Sequence, residues 1–380
     1  MIRRRRLPYR SAEIITGAGK KRYMLVHLDG TPVEPINRFL RHLDNAGRAR
    51  NTLRSYCTAL GLYLTYLDDR GVDWRTADLE IRGGFVRWLR DPLATLQADV
   101  VSATPRQMRS NETINVYLGA VTLFYDFAYR ARLTPSNLNE HVREAGRRTR
   151  YKDFLYGIAA SEPRERDSLR QDQSRPARPK TIPKVDVERL IGCCQTWRDR
   201  ALLRLLYESG IRIGEALALW LEDIDLSGKV RVVDRGELSN DAEIKSVAAN
   251  RVVDISQDTT NAILDYLARE APAEVETNHV FVKLHGPRRG QPMDYSDVHA
   301  LFRRLMSRTG MRAWPHLLRH SSLTALAKTW RPEELQRRAG HRHFNTTYTM
   351  YVHPNDDDLR ARWEQTQREL ALSEANAVRS

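Results

Sequence analysis

Residues 339–354 bring together His341, His343, His353, Arg342, Tyr348 and Tyr351. Imidazoles and an arginine beside a phenol suit three chemistries: a metal centre, a nucleic-acid contact, or a nucleophile with its supports. The stretch alone does not choose between its two tyrosines. Upstream, Ser209-Gly210-Ile211-Arg212-Ile213-Gly214-Glu215 sets an arginine between two glycines where one helix ends and the next begins. Glycine lets backbone approach a ligand, a helix N-terminus adds partial positive charge, and the guanidinium fork matches two phosphate oxygens. A structural ion pair between Arg212 and Glu215 is the competing reading. Further on, His316-Leu317-Leu318-Arg319-His320 puts His316 and Arg319 three apart on one helix face. Such a pair can hold a phosphate and donate to oxygens that gain charge in a pentacoordinate state. His316 and His320, four apart, also have metal-ligand spacing, but no HExxH pattern or clustered carboxylates complete that site.

The elements that must position these groups follow from periodicity. Residues 7–30 carry short apolar alternations without a clear period. From Pro32 the pattern turns helical: Ile36, Phe39, Leu40 and Leu43 share a face, and Gly47 stops the helix. Asn51 is placed to cap a longer helix with Leu53, Tyr56, Leu60, Tyr63, Leu64 and Leu67 inward. Phe85, Trp88 and Leu89 mark a third helix, and Ile114 through Ala128 a fourth, ended by Pro135. A polar, basic connector follows, closing on prolines that keep it extended. From Pro183 helices resume at Val187–Cys194, 199–207, 214–221, 263–267, 298–306 and 317–327. Two β-branched runs, 230–233 and 251–255, flank a polar turn containing Lys245, and 279–284 is a third candidate strand. The domain plan is therefore a basic segment 1–31, a helical bundle 32–137, a linker 138–182, a second domain 183–355 and a tail 356–380. The fold class is mainly α with a small antiparallel sheet.

Composition narrows the partner. Over 380 residues the formal net charge is +14, an excess that implies a polyanion, of which nucleic acid is the usual one. Three cysteines, Cys57 and the adjacent Cys193 and Cys194, offer neither a disulfide framework nor CxxC zinc spacing, and suit a reducing cytoplasm. Residues 3–6 are all arginine but lack the apolar run of a signal peptide. No stretch approaches eighteen consecutive apolar residues, so no membrane span is expected.

In chain order the motifs give Arg212, Lys245, His316-x-x-Arg319, Gly340-His341, and Tyr351 ten residues later. With that ordered set the chain resembles the tyrosine recombinases, the phage integrase family, over nearly its whole length. Gly210-Ile211-Arg212-Ile213-Gly214-Glu215 is similar to the family's first arginine box and His316-Leu317-Leu318-Arg319-His320 to its second. Ala339-Gly340-His341 resembles its Leu-Gly-His, and Tyr351-Val352-His353 the Tyr-x-His around the nucleophile. Tyr348 fits neither the spacing nor the x-His context. The resemblance implies a SAM-like core-binding domain and a catalytic domain that clamp double-stranded DNA. Tyr351 would attack the scissile phosphate, leaving a 3′-phosphotyrosyl link and a free 5′-hydroxyl. Arg212 and Arg319 would neutralise the non-bridging oxygens. His316 and His341 would support the phosphate and proton movement, with His316 as base. Lys245 would protonate the departing 5′-oxygen, and Glu215 would orient Arg212.

The implied reaction uses no metal, ATP or other cofactor, because the protein–DNA link keeps the phosphodiester energy. The implied assembly is a homotetramer on DNA, a monomer or weak dimer when free, with accessory DNA-bending or directionality proteins as further partners. Two departures from the family pattern stand out. The hairpin is longer than usual, so Lys245 is chosen over Lys229 by its place just before the second strand, and Arg338-Ala339 replaces the apolar pair before Gly-His. The arginine-rich N-terminus and long connector point to a mobile-element integrase or transposase rather than a chromosome-dimer resolvase. A type IB topoisomerase, or a non-catalytic DNA-binding protein on the same fold, is the alternative. The tail, with Leu359, Trp363, Leu370 and Leu372, folds back on its own domain or, as the resemblance suggests, docks on a neighbouring subunit.

Overall fold

The computed structural model describes residues 7–17, 19–90, 109–140, 143–145, 165–167, 169–171, 180–244, 250–342, 344–351, 360, 363–364 and 366–368. The chain divides into two compact units, Met1–Arg175 and Pro176–Ser380. Among the described residues, no helix is long and apolar enough to cross a membrane.

The first unit opens with an antiparallel hairpin where no clear period was expected: β1 (Tyr9–Ile15) pairs with β2 (Lys21–His27), Tyr9 opposite His27 and Ile15 opposite Lys21. Only one end of β2 is deeply buried, at Leu25 and Val26, so neither strand shows a full alternation. Asn37, buried on the first helix, holds the hairpin by bonding the Leu25 backbone N–H (2.8 Å) and carbonyl (3.0 Å). Four helices follow: α1 (Glu34–Asn45), α2 (Arg50–Asp68), α3 (Leu79–Arg90) and α4 (Asn111–Arg130). Their inward faces are those the periodicity gives, with Ile36, Phe39, Leu60, Tyr63, Phe85 and Tyr125 essentially fully buried. The Tyr63 and Tyr125 hydroxyls meet at 3.0 Å, and Tyr125 donates on to the Trp74 carbonyl at 2.7 Å, which satisfies both phenols inside the core.

Two local expectations change. Asn51 lies inside α2, whose cap position is Ala49. α4 ends at Arg130, before Pro135, with Arg132 in the left-handed region (φ 55°). The segment expected to be a connector is partly structured: β3 (Arg143–Ala145) pairs with β4 (Glu165–Asp167). Leu169 packs on the helical core, and Gln171 exchanges backbone bonds with the Asn115 side chain at 2.8 and 2.9 Å. Residues 3–6, the arginines at 147, 148, 150, 164 and 175, and Phe154, Leu155 and Tyr156 lie outside the described residues.

The second unit is built around α6 (Trp197–Ser209), in which Ala201, Leu202, Leu203, Leu205 and Leu206 are all fully buried. A helix apolar on so many sides belongs in the middle of a core. Thr196 caps it, accepting from the Asp199 N–H at 3.1 Å. Around it lie α5 (Lys184–Gly192), the short α7 (Ile213–Leu217), α8 (Gln257–Arg269), α9 (Tyr295–Thr309) and α10 (Pro315–Leu326). The chain then adds α11 (Pro332–Ala339) and α12 (Phe344–Tyr351). The sheet has the order β5 (Ile224–Asp225), β6 (Lys229–Val232), β7 (Arg251–Asp254), all antiparallel. Its third strand is β5, not 279–284. That run makes only isolated bridges, His279 to Trp220 and Val282 to Pro292.

Within the tail, residues 360, 363–364 and 366–368 are helical. Asp356, Asp357, Asp358, Leu359, Leu370 and Leu372 lie outside the described residues.

Candidate active site

Arg212 stands at the start of α7, two residues after Gly210 ends α6. Its backbone N–H donates to Glu215 at 2.8 Å and its Nη1 to the same carboxylate at 3.0 Å. Nη1 and Nη2 also donate to the Gly340 carbonyl, both at 3.2 Å, while 23% of the side chain stays exposed. The structural pair and a ligand-facing guanidinium therefore coexist. Arg319 on α10 is buried; it donates to the Gly210 carbonyl and, at 2.7 Å, to the Ala339 carbonyl. Both forks thus hang from the C-terminal end of α11, whose last carbonyls have no partner within the helix. Burial and the neighbouring Arg212 lower Arg319 to about 10, so it remains a cation at neutral pH.

Glu215 is the hidden anchor. Arg251, on β7, donates to both its oxygens at 3.1 and 2.7 Å and, from Nε, to the Arg338 carbonyl at 3.0 Å. Burial pushes the Glu215 carboxyl up, but Arg251 and the Arg212 N–H outweigh it and leave it below the usual carboxylate value. Arg338 donates to the carbonyls of Glu208 and Asp254, each at 2.9 Å, tying α6, β7 and α11 together. The glycines serve this packing. A side chain at Gly214 would meet the Glu243 carbonyl and, at 2.6 Å, the Tyr295 hydroxyl; one at Gly340 (φ 62°) would lie 2.7 Å from Arg251 Nη1.

His341 Nε2 lies 3.1 Å from Arg319 Nη2 and its Nδ1 lies 2.8 Å from Thr347 Oγ1. A guanidinium only donates, so Nε2 accepts and Nδ1–H donates to the threonine. Burial, with Arg319 and Arg212 nearby, pushes His341 down to about 3, which agrees with the neutral tautomer. Tyr351, the last residue of α12, is buried against Leu323, Leu335 and Ala339. Its ring lies parallel to His341 at 6.0 Å, and its hydroxyl is 2.7 Å from His320 Nδ1. Burial raises the phenol, and Arg319 and Arg212 act to lower it. His320 is itself pushed down to about 4, by burial first and then by His316 and Arg319.

The structure therefore gathers Arg212, Arg319, His341 and Tyr351 into one network. His316 lies one turn before His320, the two rings 6.1 Å apart. Lys245, His353 and the side chain of Tyr348 lie outside the described residues; Lys229 is exposed at the start of β6. Among the described residues no three His, Cys, Asp or Glu side chains gather as a metal site. Sequence reasoning passed over Arg251, Thr347 and the contact of His320 with Tyr351. Only His320 carried a signal, its place in the second arginine motif. Two fixed cations, neutral imidazoles and a phenol in one cluster suit attack on a phosphodiester.

Comparison with known proteins agrees. The model of the phage integrase family matches residues 180–358, and that of the phage integrase N-terminal SAM-like domain matches residues 36–132. Transposase A from transposon Tn554 of Staphylococcus aureus is 33% identical over 340 residues, covering 89% of this chain and 92% of the relative. Tyrosine recombinase XerA of Saccharolobus solfataricus is 23% identical over 341 residues, covering 87% and 93%. Among solved structures, the Tn1549 transposon integrase in complex with a circular intermediate DNA superposes with a TM-score of 0.58. Its sequence is 16% identical, and the match covers 87% of this chain and 99% of that one. The XerH recombinase bound to difH gives 0.54 at 16% identity, covering 88% and 84%.

Proposed function

This chain belongs to the phage integrase family, the tyrosine recombinases, and we propose that it moves a mobile element by cleaving and rejoining DNA through a phosphotyrosyl link at Tyr351. It is a DNA strand-breaking and rejoining enzyme, and site-specific recombination is its activity. The observation that carries the residue assignment is the shared anchorage of Arg212 and Arg319 on consecutive carbonyls, Gly340 and Ala339, beside the Tyr351 hydroxyl. One short turn thereby sets the spacing of two cations relative to a nucleophile.

In the proposed reaction the phosphodiester's non-bridging oxygens sit between the guanidinium groups of Arg212 and Arg319. Charge that develops there meets donors already in place, each worth about 3–4 kcal/mol to the transition state. Tyr351 attacks phosphorus, the P–O5′ bond breaks, and the phosphate stays on the protein. Lys245 protonates the 5′-oxygen; the backbone carbonyl of Glu243, two residues before it in the chain, lies against Gly214 at the start of α7. His316 and His341 complete the phosphate's surroundings. Attack by the 5′-hydroxyl of another strand reverses the chemistry and completes the exchange. Double-stranded DNA is the substrate, gripped by the helical unit 32–137 and the catalytic unit 183–355, with basic residues supplying salt-dependent backbone affinity. The active assembly is a homotetramer on DNA, joined by accessory DNA-bending or directionality proteins, in the bacterial cytoplasm.

A suicide substrate carrying the element's own end tests the assignment. The native chain is expected to form a covalent protein–DNA adduct resistant to denaturation, and Tyr351→Phe none; an adduct from that variant would move the nucleophile elsewhere.

A further inference from the structure

The Tyr351 phenol has an ordinary pKa near 10 and burial raises it, so at neutral pH it attacks only if something removes its proton. Among the described residues, three imidazoles belong to this cluster, those of His316, His320 and His341. His341 is unavailable, since Nε2 accepts from Arg319 and Nδ1 donates to Thr347. The ring of His316 stacks on that of His320, with centroids 6.1 Å apart. His320 Nδ1 is 2.7 Å from the Tyr351 hydroxyl, within the distance at which a general base takes a proton directly.

We propose that His320 is the general base for Tyr351, accepting its proton at Nδ1 as the phenolate oxygen attacks phosphorus. This rests on the reading of Tyr351 as nucleophile. The Oη–H bond breaks and the proton passes to Nδ1, with Nε2 already carrying the other ring hydrogen. The Oη–P bond forms, the P–O5′ bond breaks, and its electron pair leaves on the 5′-oxygen. That oxygen takes a proton from the group opposite, the role assigned to Lys245. In rejoining, the same proton returns from His320 to the departing phenolate.

The electrostatics agree. Among the described residues, His316 and Arg319 on α10 and Tyr351 on α12 are the titratable and charged groups facing His320. In the free protein burial and those neighbours hold its imidazole neutral, so the acceptor lone pair is present before DNA arrives. A bound phosphodiester adds a negative charge beside the arginines and favours an imidazolium. The base therefore strengthens when substrate is in place.

The test measures single-turnover adduct formation on the suicide substrate, using the full chain with either tyrosine or a more acidic fluorinated tyrosine at position 351. His320→Asn keeps a hydrogen-bond acceptor near the phenol but cannot take a proton; His320→Ala removes both. Each is expected to slow cleavage about 100-fold with the natural phenol. With the acidic phenol most of that loss is recovered, because less help is needed to ionise it. A gel shift and a melting curve check DNA binding and folding of both variants. Cleavage by His320→Asn at the native rate would overturn the proposal. An equal defect with both phenols, the signature of a positioning role, would also overturn it. So would acidic-phenol rescue of His316→Ala in place of the His320 variants. An adduct from Tyr351→Phe in the same assay identifies failure of the nucleophile assignment instead.

Discussion

Glu215 is buried, ionised and touched by two arginines, yet only one of them, Arg212, stands close to it in the sequence. Arg251 comes from a strand and closes both carboxylate oxygens, freeing part of Arg212 for a ligand. Replacing Arg251 by methionine would leave Glu215 buried with half its partners gone. Breaking a buried ion pair in this way costs about 3–5 kcal/mol. Chemical denaturation of Arg251→Met should register that loss in the second unit, with cleavage falling too because Glu215 turns more of its charge on Arg212. An unchanged denaturation midpoint would mean that Glu215 is adequately held by Arg212 and its N–H alone. At this scale the sequence revealed which residue types gather, since arginine boxes and Gly-His are local patterns. Arg251 was silent because a single arginine in a strand has no pattern.

The element that sets the site is the end of α11. Its last carbonyls, Arg338, Ala339 and Gly340, accept from Arg251, Arg319 and Arg212 in turn. A helix C-terminus offers partial negative charge and unpartnered carbonyls, which suits it to hold guanidinium groups. Gly340 turns the chain with φ 62° and leaves room for the Arg251 fork. Gly340→Ala would add about 1–2 kcal/mol of backbone strain and a methyl group in contact with Arg251. The expected outcome is a lower melting temperature and adduct formation reduced more than tenfold, while a gel shift still reports DNA binding. Equal losses in binding and cleavage would place the defect in folding rather than in the aim of the arginines. Periodicity found most helices, because α1 to α4 and α6 bury faces at helical spacing. It missed the β1–β2 hairpin and misplaced the third strand of the sheet, since both depend on which backbone edge finds a partner.

For the whole molecule, the tail holds the remaining question of assembly. Truncation after residue 356 is expected to spare binding to a single site and weaken cooperative assembly on paired sites. A native gel shift with one-site and two-site DNA checks this; unchanged two-site complexes would assign the tail to its own domain. The basic connector also reads differently at this scale. Leu169 and Gln171 dock on the first unit, so part of the expected connector belongs to that unit. A charged, proline-containing stretch carries the composition of a linker whether or not a few of its residues dock.

The sequence by itself determined the family and the order of the polar groups, and its spacing is the ground for proposing Tyr351 over Tyr348, because spacing along a chain survives without coordinates. It also determined a mainly helical architecture with a small antiparallel sheet, since burying a face imposes a period. Only the tertiary structure decided that Arg251 stabilises Glu215, that His341 uses both nitrogens on Arg319 and Thr347, and that His320 touches the phenol. His316 and His320 are equally plausible on one helix at i and i+4. Which of them meets Tyr351 depends on where α12 packs, and that is set by its burial against Leu323 on α10 and against Leu335 and Ala339 on α11.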